Sequence, residues 1–206
     1  MKGMVRVKQI IFATGNPTKA KRFSKGLLEK GINVISLRDI GIKINIKEDG
    51  KDVTENALKK ARECHEVTGK IAIGMDDSLY LENVPEQEQP GLFVRRINGK
   101  ILEDDEMIEY YTSLVKKYGK RGKLKAKWVY GLAVVNENGE ECTYSWSKSG
   151  FYMVDKPSTK MNPGYPLNSI SKYEGNNKYF TDVTEQEKEK LIGNEDDVVN
   201  FIAEHV

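Results

Sequence analysis

Histidine and cysteine are scarce in this chain. Its only histidines are His65 and His205, which nearly excludes a histidine-rich zinc site and argues against a Ser-His-Asp triad. Cys64 and Cys142 are the only cysteines and stand far apart, a usage that suits a reduced, cytoplasmic chain better than a disulfide scaffold. No apolar run approaches the roughly 20 residues of a membrane span. The opening MKGMVRVKQIIFA lacks the apolar core and small-residue cleavage site of a signal peptide. An excess of one charge is also missing: 33 Lys and Arg face 31 Asp and Glu, a net charge of +2. A duplex-binding protein usually carries a clear cationic surplus. The expected setting is therefore cytoplasmic, with no membrane and no nucleic acid as partner. No internal repeat or low-complexity linker is visible, and 206 residues suffice for one large domain or two lobes.

What is present alternates between strand and helix. Residues 8–13 read as a buried strand and 17–30 as one helix, with Ala20, Phe23, Leu27 and Leu28 inward and Gly31 ending it. INVISL (32–37) predicts a second strand. DVTENALKKARECHEVTG predicts a helix burying Ala57, Leu58, Ala61 and Cys64, and IAIGM (71–75) a short central strand. EDDEMIEYYTSLVKKYG repeats apolar residues at helical spacing. Residues 125–155 predict a long hairpin turning at Asn138-Gly139. Pro157, Pro163, Gly164, Pro166 and Gly175 mark 156–180 as loop, and the chain closes in one or two helical pieces. This pattern predicts an α/β fold with a mixed sheet.

Three stretches carry chemistry. In IIFATGNPTKAKRF (10–23), Asn16 is a good N-cap and Pro17 falls at the first helical position. The helix's free N–H groups then favour an anion, to which Thr14 adds a hydroxyl, Gly15 close backbone approach and Lys19 a mobile cation. The Walker A spacing is absent, and a plain capped βα junction accounts for the same residues. In GMDDSLYL, Asp76, Asp77 and Ser78 stand where the apolar strand is predicted to end, the usual place for ligands in open α/β sheets. Adjacent carboxylates there repel unless a cation joins them, and Mg²⁺ bound jointly by carboxylates and phosphates suits the place. A solvated turn is the plainer reading. Glu48 and Asp49 form a third acidic group before Gly50, while Asp52 and Glu55 have capping-box spacing and are assigned to structure. Lys60 could reach a phosphate, but the plainer expectation is a solvated helix lysine, and Cys64 and His65 are expected to serve packing and surface.

Together these stretches resemble the inosine triphosphate pyrophosphatase family, which hydrolyses deaminated purine nucleoside triphosphates to monophosphate and pyrophosphate. TGNPTK (14–19) is similar to the family's TGNxxK, DVTENALKKA (52–61) to T-F-x-E-N-A-x-x-K-A, MDDSLY (75–80) to A-D-D-S-G-L, and PGLFVRRING (90–99) to P-G-x-Y-S-A-R-Y-x-G. The second half departs: NPGYPLNSI (162–170) keeps Gly164 and Tyr165 of G-F-G-Y-D-P, and LIGNEDDVVNF stands where S-H-R is expected.

The resemblance implies a single domain over 1–206, an elongated mixed sheet with flanking helices, two lobes around a central cleft, and a homodimer. It implies catalysis by Asp77 with Asp76, and Mg²⁺ held by Asp77 and by Glu48, the acidic residue of the Lys47-Glu48 pair upstream of Gly50. It implies substrate contacts from Thr14, Gly15, Asn16, Lys19, Ser78, Arg96 and Lys188. With the late donors missing, relaxed selectivity among purine triphosphates, or a shift to another modified nucleotide, is expected. Two other readings compete. One is a nucleotide-binding module of the same fold with altered base specificity or no turnover. The other is nucleic-acid binding by KKYGKRGKLKAKW (116–128), against which the near-neutral total argues.

Overall fold

The computed structural model describes residues 7–14, 16–192 and 195–206. Strand β1 (Lys8–Phe12) lies between two parallel neighbours, β2 (Ile32–Ser36) and β3 (Ala72–Leu81). A strand flanked on both sides by parallel partners is covered on both faces, and Ile10, Ile11 and Phe12 are buried accordingly. The remaining strands are β4 (Arg96–Ile97), β5 (Lys100–Ile101), β6 (Lys123–Val135), β7 (Glu141–Val154) and β8 (Ser171–Tyr173). The helices are α1 (Pro17–Lys21), α2 (Ser24–Glu29), α3 (Val53–Thr68), α4 (Asp104–Tyr118), α5 (Glu185–Ile192) and α6 (Asp196–His205). Six strands form a mixed sheet in the order β2-β1-β3-β6-β7-β8, and β4-β5 form a separate hairpin.

The described chain divides into two compact units. The first holds the residues through Asp77 with Tyr130–Trp146 and Glu195–Val206, and the second holds 78–129 and 147–192. In the first, α3 presses onto the sheet at glycines. A Cβ at Gly74 would lie 2.0 Å from the Ala57 carbonyl oxygen, and one at Gly131 2.5 Å from the Val53 carbonyl oxygen. Ala57, Ala61 and Cys64 fill the helix face so exposed, all fully buried, whereas Leu58 is only half-buried. In the second unit α4 packs Met107, Tyr111, Leu114 and Val115 into a core with Leu79, Leu124, Phe151 and Ile170.

Several elements differ from the sequence reading. The helix expected over 17–30 is broken. The Arg22 N–H bonds to the Lys19 carbonyl, the Ser24 hydroxyl donates to the Ala20 carbonyl at 3.0 Å, and Phe23 has φ −106° and ψ 0°. A tightened turn and a hydroxyl that bonds the preceding turn both interrupt an α-helix. The break buries Phe23 against Phe12 and Trp146, and leaves Leu28 58% exposed instead of inward. Gly31, at φ 76°, ends α2 as expected. The expected hairpin turns through Asn136–Glu140 with Gly139 at φ 79°. A second hairpin, β4-β5, turns at Asn98 and Gly99 with φ 50° and 78°, the positive pair that a type I′ turn requires. The predicted loop over 156–180 contains β8, which pairs Phe151 with Tyr173 and Met153 with Ser171. Among the described residues no helix is long and apolar enough to cross a membrane.

Candidate active site

β3 does not end at Gly74-Met75. It outruns its parallel neighbour: pairing with β1 stops at Phe12↔Ile73, while β3 continues to Leu81. Asp76 and Asp77 therefore lie within the strand, just past the end of β1, rather than in a turn. Neighbouring strand residues point to opposite faces, so the pleat separates the two carboxylates and each meets its own lysine. A shared cation is not needed to keep them apart.

Asp76 is buried, 7% exposed, and faces α3. Its Oδ2 accepts from the Asn56 Nδ2 at 2.9 Å and its Oδ1 from the Lys60 Nζ at 2.7 Å. Asn56 and Lys60 are one helical turn apart and so share a face. Lys60 also lies 3.2 Å from Glu48 Oε1 and donates to the Met75 carbonyl at 3.3 Å. Asn56 is fixed from the other side, its Oδ1 accepting from the Gly50 N–H at 2.8 Å. Burial pushes the Asp76 carboxyl up, and the opposing pull of Lys60 and Asn56 does not cancel it.

Asp77 turns toward α1, where the Lys19 ammonium pairs with its Oδ1. Burial raises this carboxyl too, but the Lys19 charge and hydrogen bond, with Arg22 and Lys60 nearby, outweigh it and hold it below the ordinary carboxylate range. The adjacent aspartates are thus driven in opposite directions by two different environments.

The opening loop is ordered by its own polar groups. The Ala13 N–H donates to the Ile73 carbonyl at 2.8 Å, the Asn16 N–H donates to the Thr14 hydroxyl oxygen at 3.1 Å, and the Asn16 carbonyl accepts from the Ala20 N–H. Gly15 lies outside the described residues. Because α1 has only five residues, its dipole is short, and the positive charge of this corner comes mainly from Lys19 and Arg22. Arg22 stands in the break between α1 and α2. Its Nε donates to Glu195 Oε2 at 2.9 Å, and its guanidinium covers the Tyr130 ring at 4.5 Å.

The other candidates belong to the second unit. Ser78 is buried, 1% exposed. Arg96 is exposed on β4 with its guanidinium 5.9 Å from the Phe93 ring. Lys188, on α5, lies 3.5 Å from Glu185. Asp52 caps α3 through the N–H groups of Thr54 and Glu55, while Glu55 accepts from the Lys51 N–H. In the basic run, Lys117 pairs with Glu88, Lys123 lies over the Tyr152 ring, and Lys125 pairs with Glu174.

Sequence reasoning passed over Asn56 and Arg22, and the expectation of a solvated Lys60 is corrected: it is buried against Asp76. Asn56 and Lys60 carried a signal, their spacing on the face that also holds Ala57 and Ala61. Arg22 carried none, since its role depends on a helix break and on a residue far along the chain.

The site thus consists of paired aspartates on a strand that outruns its parallel neighbour, each held by a lysine from a different helix, in an α/β fold. The chain belongs to the Ham1 family, whose model matches residues 10–193. It is 31% identical over 188 residues to the dITP/XTP pyrophosphatase of Bacillus subtilis, covering 91% of this chain and 92% of that protein. It is 31% identical over 186 residues to the protein of the same name from Thermoanaerobacter pseudethanolicus, covering 89% of each. Among solved structures, the Staphylococcus aureus Ham1 protein shares the fold with a TM-score of 0.70 at 20% identity, over 96% of this chain and 97% of the other. A nucleoside-triphosphatase / dITP/XTP pyrophosphatase from Mycobacterium abscessus matches with a TM-score of 0.64 at 25% identity, over 88% and 92%.

Proposed function

We propose that this protein is a nucleoside triphosphate diphosphohydrolase that converts deaminated purine nucleoside triphosphates to monophosphate and pyrophosphate, clearing them from the nucleotide pool. The observation that carries the reading is the Asp76-Asp77 pair held between Lys60 and Lys19, in a chain related over most of its length to dITP/XTP pyrophosphatases.

Lys19 is the first group a triphosphate would engage, exchanging Asp77 for a phosphate oxygen. That exchange removes the partner that most lowers the Asp77 carboxyl, and its proton affinity rises as substrate binds. Asp77 then orients water and takes its proton at a carboxylate oxygen, in reach of the α-phosphorus. Lys19 stabilises the departing pyrophosphate, the Thr14 hydroxyl assists at the same corner, and Asn56 with Lys60 keeps Asp76 fixed. Ser78, Arg96 and Lys188 complete the substrate contacts in this proposal.

Mg²⁺ is the cofactor we propose, held by Asp77 and Glu48. The donors are carboxylate oxygens, which suit this hard ion. Among the described residues no three His, Cys, Asp or Glu side chains gather closely enough to hold an ion alone, so phosphate oxygens would have to complete its shell. When bound, Mg²⁺ would offset charge on the triphosphate. A single two-lobed domain, a homodimer and a cytoplasmic location belong to the same proposal, the last supported by two free cysteines.

Product analysis tests the reaction. With dITP or XTP and Mg²⁺, the expected products are nucleoside monophosphate and pyrophosphate. Diphosphate with orthophosphate would refute the assignment, and tight binding without products would leave the nucleotide-binding module.

A further inference from the structure

The break after α1 places Lys19 and Arg22 on one side of the same turn, and each grips a different element. Lys19 reaches Asp77 on β3, and Arg22 makes a two-pronged fork with Glu195 at the start of α6. The side chains of the fork are only 17% and 18% exposed. The guanidinium lies 4.5 Å from the Tyr130 ring centroid, 5.5 Å from that of Phe23 and 5.7 Å from that of Trp146, while Tyr130 and Trp146 stack on each other at 5.0 Å. Planar stacking and a bidentate carboxylate fix a guanidinium in position and orientation together.

α1 packs against β2 and α2, but its own length gives it little stability. Five residues are too few to form a stable helix unaided, and of those with described side chains only Ala20 is buried. At the far end of the fork, α6 is firmly seated. A Cβ at Gly26 of α2 would meet the Val199 methyl groups at 3.1 and 3.2 Å, and Val198, Val199 and Ile202 are buried. A largely buried ion pair is a poor source of stability for its desolvation cost, so its use here is better sought in geometry.

We propose that Arg22 and Glu195 are positioning residues: they clasp the turn that carries Lys19 to the C-terminal helix, and so set where the phosphate-gripping ammonium stands. Neither touches substrate. This rests on the triphosphate reading above, and on the fork, the stack and the shortness of α1.

The test is a double-mutant cycle on the full chain, read as kcat/KM for pyrophosphate release. Glu195→Gln keeps the shape of the fork and removes its charge. It should lower kcat/KM by about tenfold, within the ~10²-fold that a 1 Å misplacement can cost. In a Lys19→Ala background the same change should lower it by less than about twofold, because there is no ammonium left to position. A purely structural role predicts that the two losses multiply. Arg22→Lys keeps the charge and loses the fork, so it should reproduce Glu195→Gln and serves where the latter fails to fold. The proposal is overturned if either variant stays within about twofold of the parent, or if the losses multiply in full. Should the parent release no pyrophosphate, the functional reading fails separately. The clasp is then read from tripolyphosphate affinity, with the same Lys19 dependence expected, and an unaltered affinity or no binding by the parent overturns it.

Discussion

Asp77 and Asp76 show how far two identical side chains can be separated by one step along a strand. Asp77 meets an ammonium and stays ionised, while Asp76 is buried against an amide and a second ammonium and its carboxyl rises. Asp77→Asn keeps the shape but removes the proposed proton acceptor and a proposed metal-binding charge. kcat for pyrophosphate release should fall by ~10²-fold or more, the low end for a positioned general base. Near-parental turnover in a steady-state assay would move the role elsewhere. The aspartates were legible as a pair, but not as a pair divided by the pleat. Lys60 was misjudged because most helix lysines are solvated. Only the fold reveals that this one sits 9% exposed beneath Asp76.

At the level of elements, the close seating of α3 depends on what is missing from two strand positions. Gly74→Ala would drive a Cβ to 2.0 Å from the Ala57 carbonyl oxygen, and the helix must retreat from the sheet. Stability measured by urea unfolding should drop by about 3 kcal/mol, the upper end for overpacking. A change below about 1 kcal/mol would mean the helix shifts at little cost. Because Asn56 and Lys60 ride on that helix, activity should fall with it. Element types were well marked by periodicity, as for α3, α4 and the β6-β7 hairpin. Two boundaries were not. The break at Arg22-Phe23 is made by buried aromatic packing, which outweighs local helix preference. β3 continues past Met75 because Asp76 finds Asn56 and Lys60, and polar residues that are satisfied by tertiary partners do not end a strand.

On the scale of the molecule, motif matches crowd into the first half of the chain, and Thr14, Lys19 and Asp77, the proposed phosphate corner, lie within one unit. The second unit holds NPGYPLNSI, one of the stretches where the matches thin. There, Lys172, Asn176, Asn177 and Lys188 are the groups nearest to replacing the absent late donors: Lys172 lies 4.1 Å from the Tyr179 ring centroid, the Asn177 side chain accepts from the Tyr152 hydroxyl, the Asn176 side chain accepts from the Lys178 N–H at 3.0 Å, and Lys188 lies 3.5 Å from Glu185. Of these contacts only the Asn177–Tyr152 bond joins residues distant along the chain, and that one is not legible from local pattern. Both amides are held through their oxygens, so these bonds aim no N–H donor at a 6-keto oxygen. Selectivity for inosine over adenosine triphosphate should therefore fall below ~10²-fold, as in pockets that discriminate by shape. Comparing kcat/KM for inosine, xanthosine, adenosine and guanosine triphosphates measures it. A preference above ~10³-fold would mean that other donors have been rebuilt.

The unit that carries Thr14, Lys19 and Asp77 also contains α6, the last helix of the chain. During synthesis a growing chain extends by ~5–20 residues each second, and its N-terminal parts fold first when they are self-contained. This unit is not self-contained. The turn bearing Lys19 emerges early, yet the partner of Arg22 is Glu195, and the apolar residues Val198, Val199 and Ile202 follow later still. The proposed phosphate corner is therefore assembled only after α6 has been synthesised, and a chain released short of α6 lacks the anchor for the turn that bears Lys19.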